Sequence, residues 1–173
     1  LAELNRLPPT EPEQLAAGFP YEMFALPLRE VIRLHSAVGP DGRPLVVGHT
    51  RNDLTDWARL AARQLVAAGA SAHDVIQICF GGGVFGKAVG YLLGAELIEA
   101  SVIPEDPQHI EYQLAMLRNY RTTILISTPS NARALAELIR ERRIQPQTLS
   151  LRRILLSRPI STEDRAALSE DLM

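Results

Sequence analysis

From residue 53 to the end of the chain, short apolar runs alternate with longer stretches that have helical periodicity. The runs are rich in β-branched residues and lie at about residues 75–80, 101–104, 122–128 and 153–157. Strands that alternate with helices of ten or more residues form crossover units, and crossover units build parallel sheets. The runs are apolar throughout, as in sheets that are covered on both faces. The pattern therefore predicts an α/β fold, with an open, doubly wound, mainly parallel sheet and helices on both faces.

Single residues indicate where helices begin and end. Asn52 or Asp53 is predicted to cap a helix whose apolar residues recur at helical spacing. Gly69 is predicted to end that helix, because glycine accepts the left-handed conformation that is common at helix ends. Pro129 follows the third apolar run, where a cap and a helix-starting proline are expected.

The first 50 residues have a different pattern. A proline-broken arm leads into two apolar runs on either side of the stretch Gly39-Pro40-Asp41-Gly42, which is typical of a hairpin turn. We therefore expect two parts: residues 1–50, an irregular N-terminal arm with the hairpin, and residues 51–173, an α/β subdomain. The chain begins at Leu1 rather than Met, which favours an excerpt of a longer protein.

Charge and cysteine content exclude several classes of protein. The net charge is −2 and the pI is near 6.1, which argues against nucleic acid as a partner. No apolar run approaches the roughly 20 residues of a membrane span, so no membrane contact is expected. The single cysteine, Cys79, cannot form an internal disulfide and fits a reducing, cytoplasmic compartment. The four histidines share no ligand spacing, and no triad or paired carboxylates can be assembled, so neither a metal site nor a catalytic residue is predicted.

Three loops, at residues 80–86, 128–130 and 157–161, are candidates for binding a small molecule, because ligands of open α/β sheets lie beyond the carboxyl ends of the strands. The first, residues 80–86, is Gly-rich, so that a ligand can approach its backbone, and it opens a helix whose N–H groups attract anions. It matches neither a dinucleotide nor a Walker motif. The second is the turn at residues 128–130. The alternatives are close helix–strand packing for the first loop and a simple helix cap for the second. The predicted pocket residues are Phe80, Gly81, Gly82, Gly83, Phe85, Thr128, Pro129 and Ser130.

The order of these pieces resembles a known family. The pattern R-x-H-x-x-x-G-x-x-G-R-P-x-V-V-G-x-T-x-x-D-L-x-x-W-A, which runs from Arg33 to Ala58, is similar to the phosphate-loop region of phenylacetate–CoA ligases, members of the adenylate-forming superfamily. CFGGGVFGKAVGYLLGAE resembles that family's Gly-rich loop and helix, and TTILISTPS resembles its T-P-S turn. The resemblance covers nearly the whole chain, from about Leu7.

The resemblance implies a function and a set of ligands. Such enzymes join a carboxylate to AMP with release of pyrophosphate and then transfer the acyl group to coenzyme A, so ATP, coenzyme A and Mg are the implied cofactors. The implied partner is a small carboxylic acid, with an aromatic acid as one candidate, which would occupy the pocket named above, and a homodimer is a further candidate assembly. The hairpin tip would hold the phosphates through Ser36, Gly39, Gly42 and Arg43.

The hairpin tip departs from the family pattern S-S-G-T-T-G-K. This chain has Ala37-Val38-Gly39-Pro40-Asp41-Gly42-Arg43, so that hydroxyl donors are replaced, a proline removes an N–H, and an aspartate brings negative charge. Two interpretations follow. The chain is the N-terminal part of a phenylacetate–CoA-ligase-like enzyme and is inactive as a fragment. Alternatively, it is a non-catalytic homologue that binds a small acid or a nucleotide, or serves as an assembly module.

Overall fold

The computed structural model describes residues 7–39, 42, 44–80, 87–103 and 109–172. The predicted site residues Arg43, Gly81, Gly82, Gly83 and Phe85 lie outside the described residues. The chain divides into two compact units, Leu1–Thr55 and Asp56–Met173.

The first unit is built around an antiparallel hairpin. A short helix, α1 (Pro12–Ala17), and a single 3₁₀ turn at Leu28–Glu30 precede β1 (Val31–Val38) and β2 (Pro44–Thr50). The strands pair from Val31 with Thr50 to Val38 with Pro44, with one irregularity between Val31 and Arg33. The hairpin that the turn sequence predicts is therefore confirmed.

The second unit carries a four-stranded parallel sheet. The remaining elements are α2 (Arg51–Ala67), β3 (Val75–Cys79), α3 (Lys87–Leu97), β4 (Ser101–Ile103), α4 (Ile110–Asn119), β5 (Ile124–Ser127), α5 (Pro129–Glu141), β6 (Arg153–Leu156) and α6 (Thr162–Leu172). The strand order is β4-β3-β5-β6, and every pair is parallel.

Two hydrophobic cores lie on the two faces of this sheet. Side chains alternate between the faces of a strand, and β5 shows the division. Leu125 packs with residues of α4, α5 and α6, whereas Ile124 and Ile126 pack with residues of α2 and α3. The predicted doubly wound α/β fold, with helices on both faces, is confirmed.

Helices α2 and α3 approach each other closely through glycine. A Cβ added at Gly94 would lie 2.7 Å from the Ala61 Cβ and 2.8 Å from the Ala62 backbone nitrogen. Because real Cβ atoms do not come so close to other heavy atoms, the bare glycine lets the two helices pack at this distance.

The predicted C-terminal end of α2 is confirmed, whereas the residue predicted to cap its N-terminal end is not. Gly69 has a φ of +83° and ends the helix as predicted. The predicted cap at Asn52 or Asp53 is wrong. Thr50 caps α2, because its hydroxyl accepts from the Asp53 N–H at 3.2 Å while the Asp53 carboxylate accepts from the Thr50 N–H at 2.7 Å. This reciprocal pair is a capping box, in which the acid stands three residues inside the cap.

Three other helices end at residues that are not glycine. Glu99, Arg121 and Arg143 follow α3, α4 and α5 with φ of 59°, 52° and 52°. Each lies in the left-handed region, where a side chain carries a conformational cost that glycine does not.

A charged cluster, which we call the amino-end cluster, lies where β3 begins and consists of Ser71, Asp74, Thr123 and Arg152. The Asp74 side chain is 1% exposed, and its Oδ1 accepts from the Arg152 guanidinium at 2.6 Å and from the Thr123 hydroxyl at 2.7 Å. Its Oδ2 accepts from the Ser71 N–H at 2.9 Å. Burial opposes ionisation of Asp74, but these hydrogen bonds outweigh it and hold the pKa of the carboxyl below its usual value.

Candidate functional site

The hairpin tip carries the residues predicted to hold phosphates. Ser36 is exposed near the end of β1, and Gly39 follows that strand and is buried. Gly42 has a φ of +78°, and its N–H donates to the Gly39 carbonyl at 3.0 Å. A phosphate nest needs N–H groups that point at the anion. The turn itself uses the Gly42 N–H, and the role of these residues in holding phosphate stays a prediction.

The predicted pocket residues lie after two neighbouring strands. β3 and β5 are parallel, and Cys79 at the end of β3 pairs with Ser127 at the end of β5. Phe80 and Thr128 therefore leave the sheet at the same edge, which is its carboxyl edge. The structure places these two predicted loops side by side at their bases, whereas the role of their residues in binding stays a prediction.

Phe80 packs against a residue that sequence reasoning missed. Its ring centroid lies 5.8 Å from that of Tyr91 in the second turn of α3, with an angle of 34° between the rings. Phe80 and Tyr91 are both partly buried against the core beneath α2 and α3. The sequence does indicate Tyr91, because it is an aromatic residue with a polar tip in a helix whose other residues are mostly small or aliphatic.

The turn at residues 128–130 acts as a helix cap. The Thr128 hydroxyl accepts from the Asn131 N–H at 3.2 Å, and Pro129 is buried at the first position of α5. The Ser130 side chain is exposed, and its hydroxyl lies 3.2 Å from that of Thr128. The cap interpretation is thus confirmed. The same two hydroxyls stand at the carboxyl edge of the sheet.

A buried network of uncharged side chains holds this turn in place, and we call it the amide network. The Asn131 side-chain N–H₂ donates to Gln113 Oε1 at 2.8 Å and to Ser127 Oγ at 2.9 Å. Ser127 donates in turn to the Cys79 carbonyl at 3.0 Å. The network consists of Gln77, Gln113, Thr122, Ser127 and Asn131. It links α4, β3, β5 and the start of α5, and so it connects the turn at Thr128 to the sheet.

Gln77 is the member of the amide network that is hardest to predict from the sequence. It lies in the middle of β3 and is fully buried, and its amide donates to the Gln113 carbonyl at 3.1 Å and accepts from the Thr122 hydroxyl at 3.0 Å. The only signal was a single amide inside an apolar run. The network offers hydrogen bonds but no charge, and it contains no nucleophile paired with a base.

One of the clefts among the described residues lies away from the predicted pocket residues. It has a volume of about 790 Å³ and runs beside β6, where it is lined by residues that include Arg153, Arg165 and Ser169. The predicted pocket residues that the structure describes do not line it. The residues that line it include Ser157, Pro159 and Ile160 of the predicted loop at residues 157–161.

Two further findings bear on ligands. Within the ranges that the structure describes, no group of three or more His, Cys, Asp or Glu side chains could hold a metal ion. None of the described helices is both long enough and apolar enough to cross a membrane.

Solved structures define the fold to which the chain belongs. No family model matches the chain. A 2-hydroxyisobutyryl-CoA ligase in complex with 2-HIB-AMP and CoA superposes with a TM-score of 0.84 and 24% identity, over 96% of this chain and 37% of that one. A long-chain-fatty-acid-CoA ligase from Archaeoglobus fulgidus gives 0.67 and 18%, over 84% and 28%. The chain therefore has the fold found in adenylate-forming CoA ligases.

Comparison with curated sequences gives a more specific relationship than the fold does. Phenylacetate-coenzyme A ligase of Pseudomonas putida is 38% identical over 152 residues, which are 88% of this chain and 35% of that protein. The Thermus thermophilus enzyme of the same name is 37% identical over 163 residues, 94% of this chain and 37% of that protein. The chain is a homologue of the phenylacetate-CoA ligases, as its motifs predict, and it spans about a third of their length.

Proposed function

We propose that this chain is part of an AMP-forming acyl-CoA ligase of the phenylacetate type. Such an enzyme activates a small carboxylic acid with ATP and passes the acyl group to coenzyme A. The observation that carries the proposal is the 38% identity to a phenylacetate-coenzyme A ligase over 88% of the chain. The fold shared with a ligase solved with an acyl-AMP and CoA supports it.

The carboxyl edge of the sheet is the proposed place for the acid. The loops after β3 and β5 start side by side there, and Phe80 and Tyr91 supply an aromatic wall while Thr128 and Ser130 supply hydroxyls. A mostly apolar surface with a few placed polar groups suits an aromatic carboxylic acid. ATP, when bound with Mg²⁺, would supply the leaving pyrophosphate, and this chain's part is to bind and orient the acid.

The 173-residue chain is proposed to be inactive by itself. Val38 and Pro40 replace hydroxyl-bearing residues of the phosphate loop, and Asp41 adds a charge that repels phosphates. Each charge-assisted hydrogen bond lost in this way is worth about 1.5–3 kcal/mol. The Gly42 N–H is also engaged within the turn, at 3.0 Å from the Gly39 carbonyl. This last observation favours the second candidate, a non-catalytic homologue that binds a small acid or a nucleotide, or serves as an assembly module.

An exchange assay tests the activity. We expect the chain to catalyse no exchange of labelled pyrophosphate into ATP in the presence of arylacetates. The matched variant carries Val38→Ser, Pro40→Thr and Asp41→Thr, and should bind ATP at least about tenfold more tightly because donors are restored and repulsion is removed. Robust exchange by the unaltered chain would contradict the proposed inactivity. Equal ATP affinity of the two chains would show that the tip does not contact phosphate.

A binding assay tests the pocket. Phenylacetate titrated into the chain by calorimetry is expected to bind, and Phe80→Ala or Phe85→Ala should weaken it several-fold by removing aromatic contacts. Tyr112→Ala, on an exposed position of α4, is the control and should leave the affinity unchanged. Unchanged affinity in both phenylalanine variants would overturn the placement of the acid at this edge.

A further inference from the structure

The last strand of the parallel sheet has an open edge. β6 pairs with β5 on one side, and no strand that the structure describes pairs with its other side. The N–H groups of Arg153 and Ser157 donate to carbonyl groups in β5 and immediately before it. Because the main-chain groups of successive residues alternate between the two sides of a strand, those of Ile154 and Leu156 point away from β5. β6 therefore offers N–H and C=O groups to a further strand.

The cleft beside β6 follows this edge and lies between the two helix layers of the sheet. It is lined by Ile154 and Leu156 of β6, by Ala68 just after α2 and by Leu168 of α6. Helices α2 and α6 contribute to the cores on opposite faces of the sheet. All residues of β6 are half-buried, whereas all residues of β5 are buried. A cleft of about 790 Å³ in this position has the shape that an added strand requires.

The charged side chains around the cleft are basic. Arg152 pairs with the buried Asp74, whereas Arg153, Arg158 and Arg165 form no ion pair with a residue that the structure describes. The described residues that line the cleft include no aspartate or glutamate. A second copy of this edge would bring the same arginines together, and like charges on neighbouring strands repel. The charge therefore favours an acidic partner over a second copy of the chain.

We propose that β6 and its cleft bind an extended acidic segment of a partner polypeptide, which adds to the sheet as a strand. Main-chain hydrogen bonds at Ile154 and Leu156 provide the affinity, as in other cases of strand addition. Arg158 and Arg165 provide the preference for acidic side chains, because complementary charge selects among partners. The binding requires neither adenylation nor coenzyme A, so its failure and the failure of the proposed ligase function are distinguishable.

A synthetic peptide of alternating glutamate and valine, blocked at both ends, is the probe. It is titrated into the isotope-labelled chain, and the amide signals are followed by NMR. We expect saturable binding, and hydrogen exchange of the Ile154 and Leu156 amides should slow at least about tenfold because they gain acceptors. The same peptide with N-methyl groups at alternate residues lacks the donors of one edge and should bind at least about tenfold more weakly. Unchanged exchange at both amides, or equal affinity of the two peptides, would overturn the addition of a strand.

Charge variants test the nature of the partner. The double variant Arg158→Gln, Arg165→Gln should bind the acidic peptide several-fold more weakly, whereas Arg118→Gln, at an exposed position of α4, should leave the affinity unchanged. A peptide of alternating lysine and valine should bind at least about tenfold more weakly than the acidic one. Equal affinity for the two peptides would overturn the choice of an acidic partner.

Sedimentation of the chain without peptide tests the remaining occupant of the edge. We expect a monomer, because the arginines of two copies would repel each other. A dimer in which exchange of the Ile154 amide is already slowed would overturn the proposal in favour of a second copy.

Discussion

The α/β unit contains two groups of hydrogen-bonded polar side chains, the amino-end cluster and the amide network. The two differ in how they provide hydrogen-bond partners for buried polar atoms. The amino-end cluster is centred on one buried carboxylate, Asp74, which accepts from Arg152, Thr123 and Ser71. The amide network near the carboxyl edge holds Asn131 between Gln113 and Ser127 with uncharged groups alone. Charge-assisted hydrogen bonds are about twice as strong as neutral ones. The comparison indicates that the chain uses a charged acceptor where β3 begins and uncharged side chains beside Thr128.

Removing the carboxylate of the amino-end cluster should have the largest effect. Asp74→Ala deletes the shared acceptor and leaves the Ser71 N–H and the Thr123 hydroxyl without it, so the free energy of unfolding should fall by about 2–4 kcal/mol. Urea unfolding at neutral pH measures the change. Asp56→Ala is the control, because Asp56 pairs with Arg59 in an exposed ion pair and should cost at most about 0.5 kcal/mol. Equal losses in the two variants would remove the distinction between the buried carboxylate and a surface one.

The pH dependence of the two groupings should also differ. The pKa of Asp74 is held below its ordinary value, so its contribution is present above the unfolded-state pKa of about 3.9 and is lost as the pH falls through the folded-state value. The difference in stability between the unaltered chain and Asp74→Asn should therefore narrow on acidification below about pH 4. A difference in stability that stays constant down to pH 2 would mean that ionisation of the Asp74 carboxylate is not the source of that difference.

Disrupting the amide network should lower the free energy of unfolding by a smaller amount, and that loss should not depend on pH. Asn131→Ala removes two neutral hydrogen bonds, one to Gln113 Oε1 and one to Ser127 Oγ, which should lower the free energy of unfolding by about 1–2 kcal/mol. Measurements at pH 5 and pH 8 should agree, because no member of the network titrates there. Asn119→Ala at the exposed end of α4 is the matched control. A loss as large as that of Asp74→Ala would contradict the expected ranking.

The cap of α5 should give a smaller effect. Thr128→Ala loses the acceptor for the Asn131 N–H, at about 1 kcal/mol, whereas Thr128→Ser keeps the hydroxyl and should be nearly neutral. Thermal unfolding followed by circular dichroism separates the two. If the serine variant is as unstable as the alanine variant, the methyl group rather than the hydroxyl stabilises the turn.

Local patterns account for what the sequence predicts well. The four strands of the sheet begin and end within about two residues of their predicted limits, because apolar runs and helical periodicity are properties of neighbouring residues. The Thr128–Pro129 cap is local for the same reason. The cap of α2 was misplaced because threonine and aspartate both stand near its start, and only the geometry shows that Thr50 caps while Asp53 closes the box.

The amide network could not be predicted in this way because its contacts are distant along the chain. Gln77 meets Thr122 across 45 positions and Gln113 across 36. Nothing within β3 indicates which residues will satisfy a buried amide, since the partners depend on how the crossovers pack. The hairpin is similar, because the register of β1 and β2, rather than either strand alone, sets His49 opposite Arg33.

Three residues that follow helices, Glu99, Arg121 and Arg143, are positions at which substitution should stabilise the chain. Each residue has a positive φ, which glycine adopts without a clash of its own. Replacing one of them by glycine relieves that clash, while the greater freedom of glycine in the unfolded chain offsets part of the benefit. The net gain at each position should be below about 1 kcal/mol, and the three gains should add because the sites are separate. A chain modified in this way would tolerate costly changes at the pocket edge, which makes these helix ends a practical starting point for engineering.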